Sequence, residues 1–232
     1  MPSPVRWVGT ESGLAPYPMW STADANGGGN PAAGQWYPAE TDFTLQNGDQ
    51  WFYNAGAGVR APADLRTMIE TSVGHNTAVI VDIAPMPTGE VPQAQVGAAA
   101  SLGTYLKACY GSPPAGSTSS SGAATVTLSL AGAAQRGVNR IMVREDVTLG
   151  ELVRTFELRG IPAGGGAAVS LFNGTSIGFR FIAALPKPMD LQAVVLEVTS
   201  VDPRSRAGAP HVQELSAFAC GTAAAAHDAS GQ

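Results

Sequence analysis

The feature that most constrains the fold is a change in sequence pattern across one segment rich in Pro, Gly and Ser, residues 112–122 (SPPAGSTSSSG). Before this segment, stretches with helical periodicity alternate with strand-like stretches, whereas only short strand-like stretches and turns follow it. The Pro, Gly and Ser content of residues 112–122 is typical of a linker. We therefore predict a first unit at residues 1–111, a linker at 112–122, a second unit at 123–221 and a disordered tail at 222–232.

The first unit has the pattern of a sheet with helices packed on it. Residues 63–72 (ADLRTMIETS) repeat apolar side chains at helical spacing directly after Pro62, which suits a first helical turn. Residues 77–84 (TAVIVDIA) form a continuous apolar run, which is typical of a strand buried on both faces. Residues 95–110 return to helical periodicity. Helix, buried strand, loop and helix in succession indicate either a (β/α) barrel or a doubly wound sheet.

The second unit has the pattern of an antiparallel β-sandwich. Short strand-like segments, several of which alternate polar and apolar side chains, are separated by glycine-bearing turns. The segments are 125–130, 139–145, 153–159, 167–172, 177–185, 193–200 and 213–220. Four phenylalanines fall at alternating positions that predict a place in the core, namely Phe156, Phe179, Phe181 and Phe218. Because no exposed aromatic cluster is evident, we expect this unit to support the first unit structurally.

Composition and charge argue against several classes of function. With a net charge of −5 and Lys107 and Lys187 as the only lysines, the chain has no basic patch that would bind a nucleic-acid backbone. No apolar run approaches the length of a membrane span. We also recognise no secretion signal ahead of the first strand-like residues.

Two further features bear on covalent chemistry. Cys109 and Cys220 lack a second cysteine or a histidine at metal-ligand spacing, which leaves two interpretations, a pair of buried thiols or a long-range disulfide. The triplet Asn173-Gly174-Thr175 matches the acceptor sequence for N-linked glycosylation, although such triplets are common by chance.

A single carboxylate follows the first strand-like stretch. In RWVGTESG, residues 6–13, the apolar run ends at Gly9 and Glu11 comes next, at the position where loops leave the carboxyl ends of barrel strands. Nine of the chain's sixteen aromatic residues fall within its first 53 positions. Because aromatic rings beside carboxylates are typical of a sugar site, this region is the candidate for binding and chemistry.

Plainer interpretations compete with this one. An isolated acid after a strand is most often solvated, and Trp7, inside the strand, is expected in the core. We expect Glu40, Asp42 and Asp49 to be ordinary loop acids. His75, which follows a glycine, is expected to satisfy a local backbone group.

A series of short motifs in a fixed order gives a more specific indication. They are RWVGTESG (6–13), WST (20–22), WYPAE (36–40), WFY (51–53), SVGHN (72–76) and PMPTGEVP (85–92). In this order they resemble the second half of the catalytic barrel of the α-L-fucosidases of glycoside hydrolase family 29, in the branch that includes the plant-type enzymes. Residues 137–160 and 173–183 resemble the β-sandwich that follows that barrel.

The resemblance implies a fold and an activity. The fold is part of a (β/α) TIM-type barrel, at residues 1–111, followed by an antiparallel β-sandwich, at residues 123–221. The activity is that of a retaining hydrolase that removes terminal α-L-fucose from glycans without a metal or a cofactor. Fucosylated glycans or glycoconjugates are the implied partners, and the implied setting is extracellular, vacuolar or lysosomal.

The resemblance also implies roles for individual residues. Glu11 matches the acid/base carboxylate of the family, and Trp51 matches an aromatic residue that packs against the fucose. Trp36, Glu40 and Trp20 match loop positions that border the pocket.

The chain departs from the family pattern at two points. Asp82 stands where the family more often has asparagine. The family's nucleophile, an aspartate, and the histidines that line the fucose hydroxyls lie on barrel strands before the RWVG segment. Since a retaining glycosidase needs two carboxylates about 5 Å apart, we expect no turnover from this chain alone and a missing barrel half supplied by a full-length chain. The alternative is a non-catalytic module, derived from a fucosidase, that binds carbohydrate or protein.

Overall fold

The computed structural model describes residues 5–23, 29–111, 115–204 and 209–221. In these ranges two units pack against each other, an α/β unit and a β-sandwich, and most of the strands are antiparallel. The predicted tail at residues 222–232 lies outside the described residues.

The α/β unit is a three-stranded parallel sheet with two α-helices. The strands are β1 (Arg6–Trp7), β2 (Ala39–Thr44) and β3 (Thr77–Asp82), in the spatial order β1-β2-β3. The helices are α1 (Pro62–Ser72) and α2 (Gln93–Cys109). Both predicted helices are confirmed, whereas β2 was not predicted. Among the described residues, neither helix nor any other is long and apolar enough to cross a membrane.

The helices cover one face of this sheet. Phe43 on β2 packs with Leu65 and Ile69 of α1 and with Leu102 of α2 in one buried cluster. The apolar side chains of α1 therefore meet the sheet as their helical spacing predicts, and Pro62 occupies the first turn.

The opposite face, called the open face below, carries Trp7, Glu40, Asp42, Ala78 and Ile80, which share it by strand register. Ile80 is 48% exposed and Trp7 is 42% exposed. Two predictions are therefore wrong. Strand 77–84 is not buried on both faces, and Trp7 is not in the core, because the helices cover only the other side of the sheet.

Arg6 takes the buried position that Trp7 was expected to hold. Its side chain is the largest that is fully buried, and its guanidinium donates to the backbone oxygens of Tyr37 and Trp20. These carbonyls belong to the long connection between β1 and β2, so the buried charge fastens that connection against the sheet.

The β-sandwich consists of the strands β4 (Gly116–Ser121), β5 (Thr125–Ser129), β6 (Val138–Glu145), β7 (Val153–Pro162), β8 (Val169–Gly174), β9 (Phe181–Met189), β10 (Leu191–Val201) and β11 (His211–Phe218). They form two four-stranded sheets, in the orders β5-β10-β7-β8 and β4-β11-β6-β9. One apolar core fills the space between the sheets. The predicted sandwich is confirmed, and a strand occurs at each of the seven predicted segments.

The predicted linker at 112–122 is wrong for residues 116–121, because these form edge strand β4, which pairs with β11. An edge strand requires only backbone pairing on one side, so a Ser- and Gly-rich segment suffices. Gly116 also allows close packing, since a Cβ there would lie 2.7 Å from a methyl carbon of Leu130. Residues 112–114 lie outside the described residues.

Phe179 is the exception among the four phenylalanines predicted in the core. Phe156, Phe181 and Phe218 are buried, but Phe179 is 47% exposed. β9 begins only at Phe181, and Gly178 makes a turn with a φ of +61° before it. The Phe179 ring then lies on the surface, 4.9 Å from the guanidinium carbon of Arg144.

Backbone hydrogen bonds join the two units directly. Ile182 N donates to Gly74 O, and Asn76 N donates to Arg180 O, each at 2.9 Å. The His75 ring nitrogen Nδ1 lies 2.9 Å from the carbonyl oxygen of Ala15. The expected backbone partner of His75 is therefore distant in sequence rather than local.

Two buried carboxylates of the sandwich lie nearby, and one of them, Glu151, bonds across this interface. Glu151 accepts hydrogen bonds from the Ser21 backbone N–H at 2.8 Å and from the Asn76 side chain at 2.5 Å. Glu145 accepts from the backbone N–H groups of Leu152, Val153 and Gly178 at 2.8–2.9 Å. Burial raises the pKa of both carboxyls, to about 7 for Glu145, while the hydrogen bonds to each carboxyl oppose the shift. The charge of Glu151 adds to the shift of Glu145.

A disulfide between Cys109 and Cys220 links the end of α2 to the segment after β11 and closes a loop with a sequence separation of 111 residues. Of the two interpretations of these cysteines, the disulfide is confirmed. Nearby, Glu70 of α1 accepts from Arg140 of the sandwich at 2.9 Å, so a covalent and an ionic contact join the units on this side.

We predict that replacing both cysteines, Cys109→Ser with Cys220→Ser, lowers the free energy of unfolding by about 2–4 kcal/mol, because the cross-link restricts the unfolded chain. The urea midpoint of the reduced wild type should match that of the double variant, and reductant should leave the double variant unchanged. A urea midpoint of the double variant equal to that of the oxidised wild type would contradict a stabilising role for the disulfide.

We also predict a pH-dependent contribution from Glu145. Its pKa is raised in the folded state from 4.5 to about 7, so the stabilisation is complete below about pH 4.5 and is lost as the pH rises through 7. The stability advantage of the wild type over Glu145→Gln should shrink by an amount on the order of 3 kcal/mol between about pH 5 and about pH 8. Urea titrations at both pH values measure it, and an advantage that stays constant or grows would refute it.

Candidate active site

The candidate site lies where two neighbouring parallel strands end. Glu11 is in the connection that leaves the carboxyl end of β1, and Trp51 is in the loop that leaves the carboxyl end of β2. Since β1 and β2 are adjacent and parallel, both segments emerge at the same edge of the sheet. This edge is where α/β folds commonly place their functional residues.

Two glycines shape the turn that carries Glu11. Gly9 and Gly13 have φ values of +93° and +69°, a region that L side chains rarely adopt. At Gly13 a Cβ would lie 2.6 Å from the Phe43 ring. The Gly13 N–H donates to the backbone oxygen of Asp42 at 3.0 Å. The chain thus leaves the sheet at Gly9 and returns to it at Gly13, which places Glu11 at the exposed tip of the turn.

The Trp51 indole N–H donates to a carboxylate oxygen of Glu11, with a distance of 2.8 Å between Nε1 and Oε2. The two residues are 40 positions apart in sequence, and two of the predicted site residues are thereby brought into direct contact. A donor on one oxygen fixes the orientation of an otherwise exposed carboxylate.

A residue not singled out from the sequence, Gln46, organises the Trp51 loop. Its side-chain amide donates to Gln50 O at 2.8 Å and to Phe52 O at 3.0 Å, and its carbonyl accepts from Asn54 N at 3.0 Å. Gln46 is only 3% exposed, so these bonds form away from water. The signal that could have identified it is a polar residue placed directly after the apolar end of a strand.

Two acids predicted in loops lie instead on strand β2. Glu40 is in register with Trp7 on the open face, and Asp42 lies two residues nearer the carboxyl end of β2 on the same face. The Trp7 indole N–H donates to Asp42 at 3.0 Å. Glu40 therefore lies near the amino end of β2, whereas Glu11 follows the carboxyl end of β1. Asp49 is a loop acid, as expected, and pairs with Arg60.

The other two predicted tryptophans are not brought to Glu11. Trp20 is only 5% exposed, and its ring lies 4.7 Å from the guanidinium carbon of Arg154 in the sandwich, so it packs in the interface between the units. Trp36 forms an isolated bridge with Thr22 just before the amino end of β2, whereas Glu11 follows the carboxyl end of β1. Their contribution to a pocket border therefore finds no support in this arrangement.

Asp82, at the carboxyl end of β3, has an unusual environment. Within the described part of the chain, its Oδ2 atom is buried and makes no hydrogen bond, and burial raises the pKa of its carboxyl. Its Cα pairs in register with that of Thr44, next to the start of the Trp51 loop. In the same described ranges, no three His, Cys, Asp or Glu side chains are grouped to hold a metal ion.

Solved structures share this fold. A crystal structure from Bacteroides thetaiotaomicron assigned as an α-L-fucosidase superposes with a TM-score of 0.82 at 24% identity, over 92% of this chain and 50% of that chain. A family 29 fucosidase of Ruminococcus gnavus, solved in complex with fucose, gives a TM-score of 0.81 at 18% identity, over 94% of this chain and 51% of that chain. At these identities the likeness establishes the fold, which is that of the carboxy-terminal region of family 29 fucosidases.

Curated proteins of similar sequence include two plant proteins named as α-L-fucosidases. An α-L-fucosidase 1 of Arabidopsis thaliana is 28% identical over 104 residues, which cover 40% of this chain and 20% of the relative. A rice counterpart is 30% identical over 96 residues, covering 36% of this chain and 18% of the relative. No family model matches the chain. The resemblance to α-L-fucosidases is confirmed, with a match that spans about a fifth of the curated relatives' length.

We predict that removing the Glu11 carboxylate frees the Trp51 indole. In Glu11→Ala, the Trp51 indole N–H resonance should move and its proton should exchange faster with water, because its acceptor is gone. The Trp7 indole, bonded to Asp42, is the internal control and should not change; Asp42→Ala should affect Trp7 and spare Trp51. Nitrogen-edited NMR of the tryptophan side chains measures both, and an unmoved Trp51 signal would show that the contact does not form in solution.

Proposed function

We propose that this chain is part of a retaining α-L-fucosidase and supplies the acid/base half of its catalytic site. The observation that carries the proposal is the hydrogen bond between Trp51 and Glu11, formed at the carboxyl ends of two adjacent parallel strands. The curated relatives are named α-L-fucosidases, which supports a hydrolase over a non-catalytic binding module.

The α/β unit is, in this proposal, a segment of a (β/α) barrel. Its parallel strands carry helices on one face only, as barrel strands do, and the open face would line the barrel interior. The remaining strands would belong to the full-length chain. The disulfide supports an oxidising setting, extracellular, vacuolar or lysosomal.

Glu11 would serve in both steps of hydrolysis. In the first step its carboxylic acid gives a proton to the glycosidic oxygen, while a carboxylate from the rest of the barrel attacks the anomeric carbon and the glycosidic bond breaks. In the second step the Glu11 carboxylate takes a proton from water, whose oxygen displaces the enzyme carboxylate from the sugar. The Trp51 N–H would hold the Glu11 carboxyl in place through both steps.

The substrate would be a glycan that ends in α-L-fucose. The fucose complex of the Ruminococcus gnavus protein supports this choice of sugar. Trp51, half-buried beside Glu11, would offer its ring to the apolar face of the sugar, which is how aromatic residues commonly contact carbohydrate.

The test uses a chimaera in which this chain replaces the matching region of the Arabidopsis relative. We expect the chimaera to hydrolyse aryl and alkyl α-L-fucosides, and the chain alone to hydrolyse neither. Glu11→Gln should lower kcat/KM on the alkyl fucoside by about 10²–10⁴-fold. The loss should be much smaller on an aryl fucoside with an acidic leaving group, which needs little protonation.

The matched control is Asp49→Asn, which neutralises an exposed acid of the Trp51 loop and should leave both activities within about twofold. An equal loss on both substrates would refute the proton-donor role of Glu11. A chimaera that folds and binds fucose without turnover would favour the binding-module alternative.

A further inference from the structure

The acceptor triplet Asn173-Gly174-Thr175 plays no part in the proposed reaction, yet its placement is specific. Asn173 and Thr175 are exposed, at the end of β8 and directly after it, while Gly174 between them is buried. A Cβ at Gly174 would lie 2.4 Å from the Tyr17 hydroxyl and 2.5 Å from the Phe156 ring. Packing therefore explains the glycine but neither of the two exposed polar residues beside it.

The Asn173 side chain is free to be modified. Its amide nitrogen has a 3.3 Å contact with the Ser170 hydroxyl, which is at the long end of the hydrogen-bond range and easily replaced by water. In register, Asn173 pairs with Glu157 on the outer surface of the sheet, on the side away from the buried Phe156. A large group at this nitrogen would thus extend into solvent and displace no core residue.

The position of β8 gives such a group a physical role. β8 is the last strand in the order β5-β10-β7-β8 and exposes Ser170 and Val169 along a sheet edge. Exposed edges invite pairing with other chains unless they are covered or charged. A bulky hydrophilic group at Asn173 would cover this edge.

The disulfide supplies independent support. Cys109 and Cys220 pair across 111 residues, and disulfides of this kind form in oxidising compartments. In eukaryotic cells N-linked glycosylation takes place in one such compartment, the endoplasmic reticulum, so the disulfide is compatible with exposure of the chain to the transferase.

From these observations we propose that Asn173 is a site of N-linked glycosylation. The donor class is an oligosaccharide joined through a diphosphate to a polyisoprenoid lipid. The amide nitrogen of Asn173 attacks the anomeric carbon of the first sugar, a carbon–nitrogen bond forms, and the bond between that carbon and the phosphate oxygen breaks. The lipid diphosphate leaves with the electron pair, and the amide proton passes to a base of the transferase. The Thr175 hydroxyl is the element the transferase recognises.

The experiment directs the chain into the yeast endoplasmic reticulum with a cleavable secretion signal. The probe is the cell's own lipid-linked oligosaccharide. We expect a single glycan that an endoglycosidase removes with a shift in mobility, and peptide mass analysis should place it on Asn173. Asn173→Gln and Thr175→Ala should abolish the shift, whereas Thr175→Ser, which keeps the hydroxyl, should retain it. Asn47→Gln is the control, because Asn47-Gly48-Asp49 has the same first two residues without the hydroxyl.

Occupancy is scored in total cell extract, so a variant that misfolds is still counted. Chains with the signal removed and Asn173 unmodified would overturn the proposal, as would a glycan on any other asparagine. The result is independent of fucosidase activity, so either proposal can fail alone.

Discussion

The buried hydrogen bonds around Glu151 are the contact on which the rest of the structure depends. This carboxylate belongs to the sandwich, but its donors, the Ser21 N–H and the Asn76 side chain, belong to the α/β unit. A buried charge without donors would be costly, so each unit needs the other to complete the set. Ser21 lies on the same connection as Glu11, whose turn is held by the bond from Gly13 to β2 at the point where the chain returns to the sheet. The part of this connection that follows Glu11, from Gly13 to Ser21, is therefore bonded to the sheet at one end and to the sandwich at the other. The sandwich thus contacts the segment that carries Glu11.

Strand order accounts for the site more than any single residue does. Glu11 and Trp51 are far apart in sequence, and they meet because β1 and β2 are parallel neighbours whose following segments emerge together. Local devices then refine the placement, namely the left-handed glycine turn and the bonds from Gln46 to the Trp51 loop. The hydrogen bond between Trp51 and Glu11 should therefore depend mainly on the few residues that shape the ends of the two loops, and less on the other loop residues.

The features that could be predicted from the sequence are those that local pattern determines. Helix α1 follows from its apolar spacing and initial proline, and the sandwich strands follow from alternation between turns. The order of short motifs led to Glu11 and Trp51 as site candidates. The surroundings of three aromatic residues could not be read from local pattern. Trp7 is exposed because the helices cover only the other face of the sheet, and Phe179 is exposed because a turn at Gly178 precedes β9. Trp20 is buried because it packs against Arg154 of the other unit. Strand β4 could not be predicted from composition, because it pairs with β11 through backbone groups, which every residue type carries.

The open face combines side chains that a solvent-facing sheet surface rarely brings together. A solvent-facing sheet surface would not ordinarily join an exposed Ile80 with Asp42, which is hydrogen-bonded to Trp7, and with the buried, unpartnered oxygen of Asp82. Mixed apolar and acidic side chains that converge toward one end of parallel strands suit the wall of a pocket better. Asp82 stands where the family resemblance predicts asparagine, and the chemical difference between the two residues depends on whether the aspartate is charged. Burial raises the pKa of its carboxyl, which favours the protonated acid. A protonated aspartate is neutral, has nearly the shape of asparagine, and like it presents both a donor and an acceptor. In its protonated form, Asp82 would therefore offer the same kinds of hydrogen-bonding group as the asparagine that the resemblance leads one to expect there.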